Sequence, residues 1–374
     1  MLFYLILFGA ITGYGYLLCN KTKLKYRNEI FVITAVIILC VISAIRFEVG
    51  YDCSYEGYTA SWRYFAKRNY KEYIECRNVH SKRKFEKGYV ILVYFLKNFG
   101  LDDQVLYIGT SILIAILAGI FLYTQMKDKV WGFFLLYGIG AFYFSLNLIR
   151  QVIAAFIFAF AIVMAKNKKI IPYMLLTLLA ASFHKTALLM IPFYFILQIK
   201  FTKKTLIIYS LITAIIFFAS PYAIDLVGKL WYNGYMDSIY ILNGNQWFYL
   251  ITPVVLFIII FIFRDKICED DKSNNIYINC AFFNMFFYII GCRHAIVDRF
   301  TVYFEPALIV GLCILICKLK EENSQHFKKD CAVIIAAILT INIIYLVEDG
   351  HGIIPYDTIF TNEYYLENGK YPEH

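Results

Sequence analysis

Four short polar clusters, each wedged between long apolar runs, carry the chemistry this sequence offers. The first is Arg46-Phe47-Glu48-Val49-Gly50-Tyr51-Asp52, continuing through Tyr55, Gly57 and Tyr58. Its glycines permit tight turns, its tyrosines offer faces for a sugar ring, and Asp52 is placed to orient Arg46 or to take a proton. The second is Asn147-Leu148-Ile149-Arg150-Gln151. A charge between apolar runs is costly unless it is paired or lines a wet cavity. Arg150, with Asn147 and Gln151 as helical neighbours, suits an anionic ligand. The third, Ser182-Phe183-His184-Lys185-Thr186, offers His184 as a base or as a donor to phosphate. In the fourth, Arg293 and Arg299 flank His294 and Asp298, and Asp298 is expected to be held ionised by Arg299.

Each cluster also has a plain structural reading. Arg46 can anchor an interface, Arg150 can cap carbonyls, His184 can be a satisfied interfacial histidine, and Arg293 to Arg299 can staple two helices. The residue type favours chemistry: arginine presents a planar fork of donors that fits phosphate, where lysine would satisfy membrane insertion alone. No metal-ligand spacing and no nucleic-acid module is present, and no cofactor is called for. Most of the ten cysteines lie in or beside apolar runs as small fillers, while Cys53 and Cys76 share one connection and are candidates for a disulfide.

The elements that must position these residues are membrane helices. The 374 residues are 60% hydrophobic and only 17% charged, with a mean hydropathy of +0.61, which excludes an ordinary soluble domain. The fold class is therefore all-α, a single polytopic domain over 1–374 with about 12 transmembrane helices. The expected spans are 1–19, 29–45, 104–125, 130–147, 150–166, 170–184, 186–199, 206–221, 248–263, 276–292, 300–317 and 331–347. Alternate connections carry nineteen basic residues against seven, setting aside the long 46–88 segment, so the lysine-rich side is read as cytoplasmic and both termini as outside. Residues 46–103 then form a large extracytoplasmic loop after the second helix. Its apolar stretch Tyr89–Leu96 is too short to span and is expected to be an interfacial or re-entrant helix. With that choice eight of the ten arginines face outward, including Arg63, Arg68, Arg77 and Arg83 as a solvated surface. The aromatic connection 222–249 reads as a membrane-interface belt, and 348–374 as an acidic outer tail without chemistry. The net charge of +9 is explained by loop lysines.

The clusters resemble the EpsG family of Wzy-type exopolysaccharide polymerases. The matching blocks are Arg46-x-x-x-Gly50-x-Asp52 with Tyr55 and Tyr58; Glu86-Lys87-Gly88-Tyr89; Asn147-x-x-Arg150-Gln151; Phe183-His184-Lys185-Thr186-Ala187; and Asp298-Arg299-Phe300-x-x-Tyr303-Phe304. They follow in the family's order, with Lys87 standing where proline is usual. The resemblance implies a glycosyltransferase in the bacterial cytoplasmic membrane that joins oligosaccharide repeats carried on undecaprenyl diphosphate. The lipid bilayer and a chain-length regulator would be its other partners. Arg150, with Arg293 or Arg299, would bind diphosphate, and Arg46 would be a second phosphate or sugar contact. Asp52 and His184 compete for the role of base. The rival functions are a flippase or transporter of the lipid-linked sugar, an O-antigen ligase, and a membrane O-acyltransferase. A transporter would place its polar groups near the bilayer midplane in broken helices or internal repeats, and no convincing repeat is present.

Overall fold

The computed structural model describes residues 1–53, 55–79, 85–231, 244, 247–322, 325–363 and 367. Among the described residues every named element is helical, and the sole β-type pairing is an isolated antiparallel bridge between Arg46 and Thr358. In chain order the longer helices are α1 (Leu2–Tyr16), α2 (Arg27–Ile45), α3 (Ala60–Ala66), α4 (Tyr70–Val79), α5 (Lys87–Leu96), α6 (Asp103–Gln125), α7 (Lys129–Gly138) and α8 (Ala141–Asn147). They continue with α9 (Ile149–Lys166), α10 (Ile170–Phe183), α11 (Lys203–Trp231), α12 (Ile251–Ile262), α13 (Asn275–Gly291), α14 (Glu305–Glu321) and α15 (Gln325–Glu348).

Among the described residues, six helical segments are long and apolar enough to cross a membrane: Leu2–Lys21, Arg27–Ala44, Asp103–Gln125, Ile149–Lys166, Lys203–Tyr222 and Lys328–Glu348. The number rises to eight if two bent pairs each count as one span, α7 with α8 at 58° and Ala295–Tyr303 with α14 at 53°. The protein is thus a helical membrane protein, but the sequence expectation of twelve spans exceeds these six to eight. The physical reasons are local. The stretch 186–199 is divided into a 3-10 segment, Lys185–Met190, and the single turn Phe193–Ile196, with Pro192 unable to donate an amide between them. α13 has 17 residues and carries Asn275, Asn279 and Asn284, while α10 and Trp247–Ile262 are shorter apolar helices.

By contact, the described residues form two compact units. The first comprises Met1–Phe158, Leu176–Leu188 and Ile335–His374, and the second Ala159–Leu175 and Leu189–Ile334. In the first unit α2 packs along α6, where Gly119 lets Val36 approach so closely that a Cβ there would stand 2.6 Å from it. Helix starts are set by side chains that satisfy orphan amides. Asp102 accepts from the Gln104 amide at 2.7 Å to open α6, and Asp128 caps α7 through Val130 and Trp131. Gly140, at φ +88°, turns the chain between α7 and α8.

Among the described residues, the connection between 46 and 103 carries α3, α4 and α5. Trp62 of α3 is fully buried and donates to the Leu101 carbonyl at 3.1 Å, and Arg63 pairs with Asp103 at 2.6 Å, fastening α3 to the start of α6. The expected short helix is present as α5. Its ten residues rise about 15 Å, half of a bilayer core of about 30 Å, so it cannot cross. Arg68 lies over the Tyr64 ring at 4.1 Å. Arg83, Tyr232, Tyr235, Tyr240 and the side chain of Arg77 lie outside the described residues.

In the second unit the core is aromatic. Phe287 stacks on both Phe300 and Phe304, and Phe193 meets Phe283 edge-on. Asn275 and Asn279 of α13 bind the backbone of Phe201, Leu197 and Ile199, satisfying groups at the end of a broken apolar stretch.

Candidate functional site

Arg150 stands in the first turn of α9, and its guanidinium is held on several sides. Nη1 donates to Glu86 Oε2 at 2.5 Å, with the two side chains only 22% and 12% exposed. The rings of Phe85, Tyr89 and Tyr58 surround the same group at 5.2, 5.5 and 5.8 Å. Each ring face attracts the cation, and the walls thin out the water that would screen it. The Tyr58 hydroxyl oxygen accepts from the Arg150 amide at 3.2 Å and from Nε at 3.4 Å. With its oxygen occupied by two donors, the tyrosine's own proton is free to be offered elsewhere. Burial pushes the Tyr58 phenol above its ordinary value; Arg150 opposes that shift and Asp52 adds to it. Tyr58 is therefore a neutral donor.

Glu86 also ties this group to the third sequence cluster. Its other oxygen, Oε1, accepts from the Lys185 amide at 3.2 Å. The approach depends on Gly88, where a Cβ would meet the Ser182 hydroxyl at 2.4 Å and the Ser182 carbonyl at 2.8 Å. α5 thereby seats its first turn on the end of α10. Next to Lys185, the His184 ring nitrogen Nδ1 bonds the Thr186 hydroxyl at 2.6 Å, which fixes the ring at the chain reversal.

The Arg46–Asp52 motif is seated on the end of α8. Asn147 Oδ1 accepts from the Asp52 amide at 2.8 Å, and Asn147 Nδ2 meets His351 Nδ1 at 3.2 Å. Gly50, at φ +100°, passes so close to α8 that a Cβ would stand 2.4 Å from the Leu146 carbonyl. Arg46 is 1% exposed. Its guanidinium donates to the Ser43 carbonyl, the Ser111 hydroxyl and the Cys53 thiol, and lies over Tyr107 at 4.8 Å. The structure thus places Arg46 inside the protein as a brace for the loop. Cys53 is a buried free thiol that donates to the Leu146 carbonyl; the side chain of its suggested partner, Cys76, lies outside the described residues. Gln151 is buried in the same turn as Arg150.

Arg293, His294, Asp298 and Arg299 belong to the second unit. Arg293 donates to the Phe217 carbonyl at 3.4 Å and sits over the Phe217 ring, and His294 is buried. Gly291 lets Asp298 fold back on the end of α13, since a Cβ there would touch the Asp298 Cβ at 2.9 Å. Glu305, at the head of α14, is 4% exposed.

The sequence marks Tyr58 as a face for a sugar ring and Glu86 only as part of a motif, and nothing in it singles out Phe85, His351 or Glu305. A signal for Glu86 was available: a lone carboxylate before a glycine at the start of a short apolar helix. The acidic tail is also structural. It pairs with the motif backbone through Phe47 to Asp357, Gly50 to Gly352 and Tyr51 to His351, at 3.0, 2.8 and 3.0 Å.

Fold and site together define a helical membrane protein with a sheltered guanidinium–carboxylate centre in an aromatic enclosure. The chain belongs to the EpsG family, whose model matches residues 29–358. Membership points to an exopolysaccharide-related membrane polymerase. No curated protein and no solved structure matches this chain.

Proposed function

We propose that the chain polymerises oligosaccharide repeat units carried on undecaprenyl diphosphate, at the outer face of the bacterial cytoplasmic membrane, for exopolysaccharide, capsule or O-antigen synthesis. The observation that carries this reading is Arg150, held by Glu86 beside the Tyr58 hydroxyl in an aromatic enclosure. In the reaction the anomeric carbon–oxygen bond to the lipid diphosphate breaks, and its electron pair leaves with the phosphate. Arg150 and the Tyr58 proton stabilise that developing charge, an effect worth several kcal/mol when the donors are fixed in advance. A hydroxyl of the acceptor sugar forms the new bond at the anomeric carbon and gives its proton to Asp52.

Asp52 is preferred over His184 as the base because its amide is seated on Asn147, three residues before Arg150, whereas His184 is linked to the group only through Lys185 and Glu86. His184 is then a phosphate donor. Asn147 and Gln151 position the centre, and Arg46 holds the loop. Arg293 and Arg299 are candidate phosphate donors of the second unit on its own, with His294 and Asp298 orienting them. Both termini face outward, and a chain-length regulator is a candidate partner.

The test is Arg150→Lys, which keeps the charge and loses the fork. Polymerisation of purified lipid-linked repeats should fall about 100-fold. Polymerisation at the normal rate would remove Arg150 from the site. Deleting the gene should leave single lipid-linked repeats on the outer leaflet; accumulation inside would instead favour a flippase.

A further inference from the structure

A groove of about 350 Å³ lies between Phe47–Tyr51 and the tail segment 349–362, and the reaction above makes no use of it. Its floor is the ring of Tyr51, which is 62% exposed. That ring lies against Gly352, where a Cβ would stand 2.7 Å from it, so glycine is required for the ring to settle there. Two carboxylates on the walls are fixed by the tail's own backbone. Asp349 accepts from the Ile353 and Ile354 amides at 2.6 and 3.1 Å. Asp357 accepts from the Thr358 amide, the Thr361 hydroxyl and the Asn362 side chain at 2.8, 2.5 and 2.9 Å. A carboxylate has about four lone-pair sites, so both are immobilised and keep capacity for further donors. Glu48 adds a third acidic residue to the lining. Among the described residues, no group of His, Cys, Asp and Glu side chains converges as metal ligands.

We propose that this groove is a subsite for an uncharged sugar residue of the glycan, stacked on Tyr51 and donating its hydroxyls to Asp349 and Asp357. A flat open ring beside fixed acceptors matches the two faces of a pyranose, one apolar and one rich in hydroxyl donors. The acidic walls repel carboxylate-bearing sugars, so the subsite selects against uronates by charge. Tyr51 directly precedes Asp52 in the chain, in the same short 3-10 turn. The proposal rests on the polymerase reading and specifies which part of the glycan the chain recognises.

The experiment uses full-length protein purified in detergent, with maltotriose and trigalacturonate as probes. Hydroxyl-radical footprinting reads the protection of Tyr51, and saturation-transfer NMR reads binding. Maltotriose should protect Tyr51 and trigalacturonate should not. Tyr51→Ala should weaken maltotriose binding about tenfold, while Tyr51→Phe, which keeps the ring, stays within about twofold. Equal binding by Tyr51→Ala and the natural protein, or protection by trigalacturonate as strong as by maltotriose, overturns the subsite. If Tyr51→Ala binds normally while Arg150→Lys blocks polymerisation, the subsite fails and the polymerase reading stands. If Arg150→Lys polymerises normally, the polymerase site fails whatever the groove binds.

Discussion

Glu86 holds Arg150 at 2.5 Å through one carboxylate oxygen while its other oxygen accepts the Lys185 amide at 3.2 Å. One carboxylate therefore sets the angle of the cation and its distance from the reversal that carries His184. Glu86→Gln keeps an acceptor for Lys185 and removes the charge opposite Arg150. Loss of one partner of a sheltered pair leaves the other poorly compensated. The expected result is a destabilisation of about 2 kcal/mol, read as a lower unfolding temperature in detergent, with activity reduced about tenfold or more. An unchanged unfolding temperature would mean that solvent already screens the pair.

Tyr58→Phe deletes the oxygen that accepts from two Arg150 nitrogens. The ring remains, so the enclosure is preserved and the stability cost should be about 1 kcal/mol. If the phenol also donates to the leaving diphosphate, kcat falls about 100-fold while KM for the lipid-linked repeat changes little. A kcat equal to that of the natural protein would confine Tyr58 to holding Arg150.

Gly50→Ala tests how tightly the motif loop is seated. The residue has φ +100°, and a Cβ would stand 2.4 Å from the Leu146 carbonyl, which is backbone and cannot swing aside. Strain and overlap together should cost about 3 kcal/mol and shift the amide exchange of Asp52, whose N–H is fixed on Asn147. Gly9→Ala is the control, since a Cβ there meets nothing within 4 Å.

Asp357 makes the tail's anchorage depend on pH. Burial works to raise its carboxyl, but hydrogen bonds from Thr361, Asn362 and the Thr358 amide outweigh it and bring the group below its ordinary value of 3.8. A folded pKa lower than the unfolded one means that the stabilisation is complete above the unfolded value and is lost as pH falls through the folded one. The stability difference between the natural protein and Asp357→Asn should therefore be constant above about pH 5 and shrink below about pH 4. Thermal unfolding across that range is the check, and a difference that grows on acidification would reverse the sign.

Much of the architecture was readable from residue order. Apolar runs of sufficient length showed a helical membrane protein, and the ordered blocks around Arg46, Glu86, Arg150, His184 and Asp298 showed the family. Where the described helices offer fewer candidate spans than hydropathy suggests, or bent ones, the cause is backbone chemistry. Pro192 divides 186–199, and Gly140 and the Ala295–Tyr303 turn bend two further apolar stretches. A hydropathy window counts apolar side chains and does not see a missing amide or a left-handed turn.

The site separates along the same line. Residue types alone marked Arg150, Asp52 and Asn147, because arginine, carboxylate and amide between apolar runs need partners. Only the tertiary structure decided who those partners are. It buries Arg46 against Ser43 and Tyr107, gives Arg150 to Glu86 across 64 residues, and lays the acidic tail against the motif loop across some three hundred. Sequence fixes which groups must be satisfied, since a buried donor or charge without a partner is costly wherever it lies. Which distant group satisfies it depends on how glycines at 50, 88 and 352 let separate backbones come within reach.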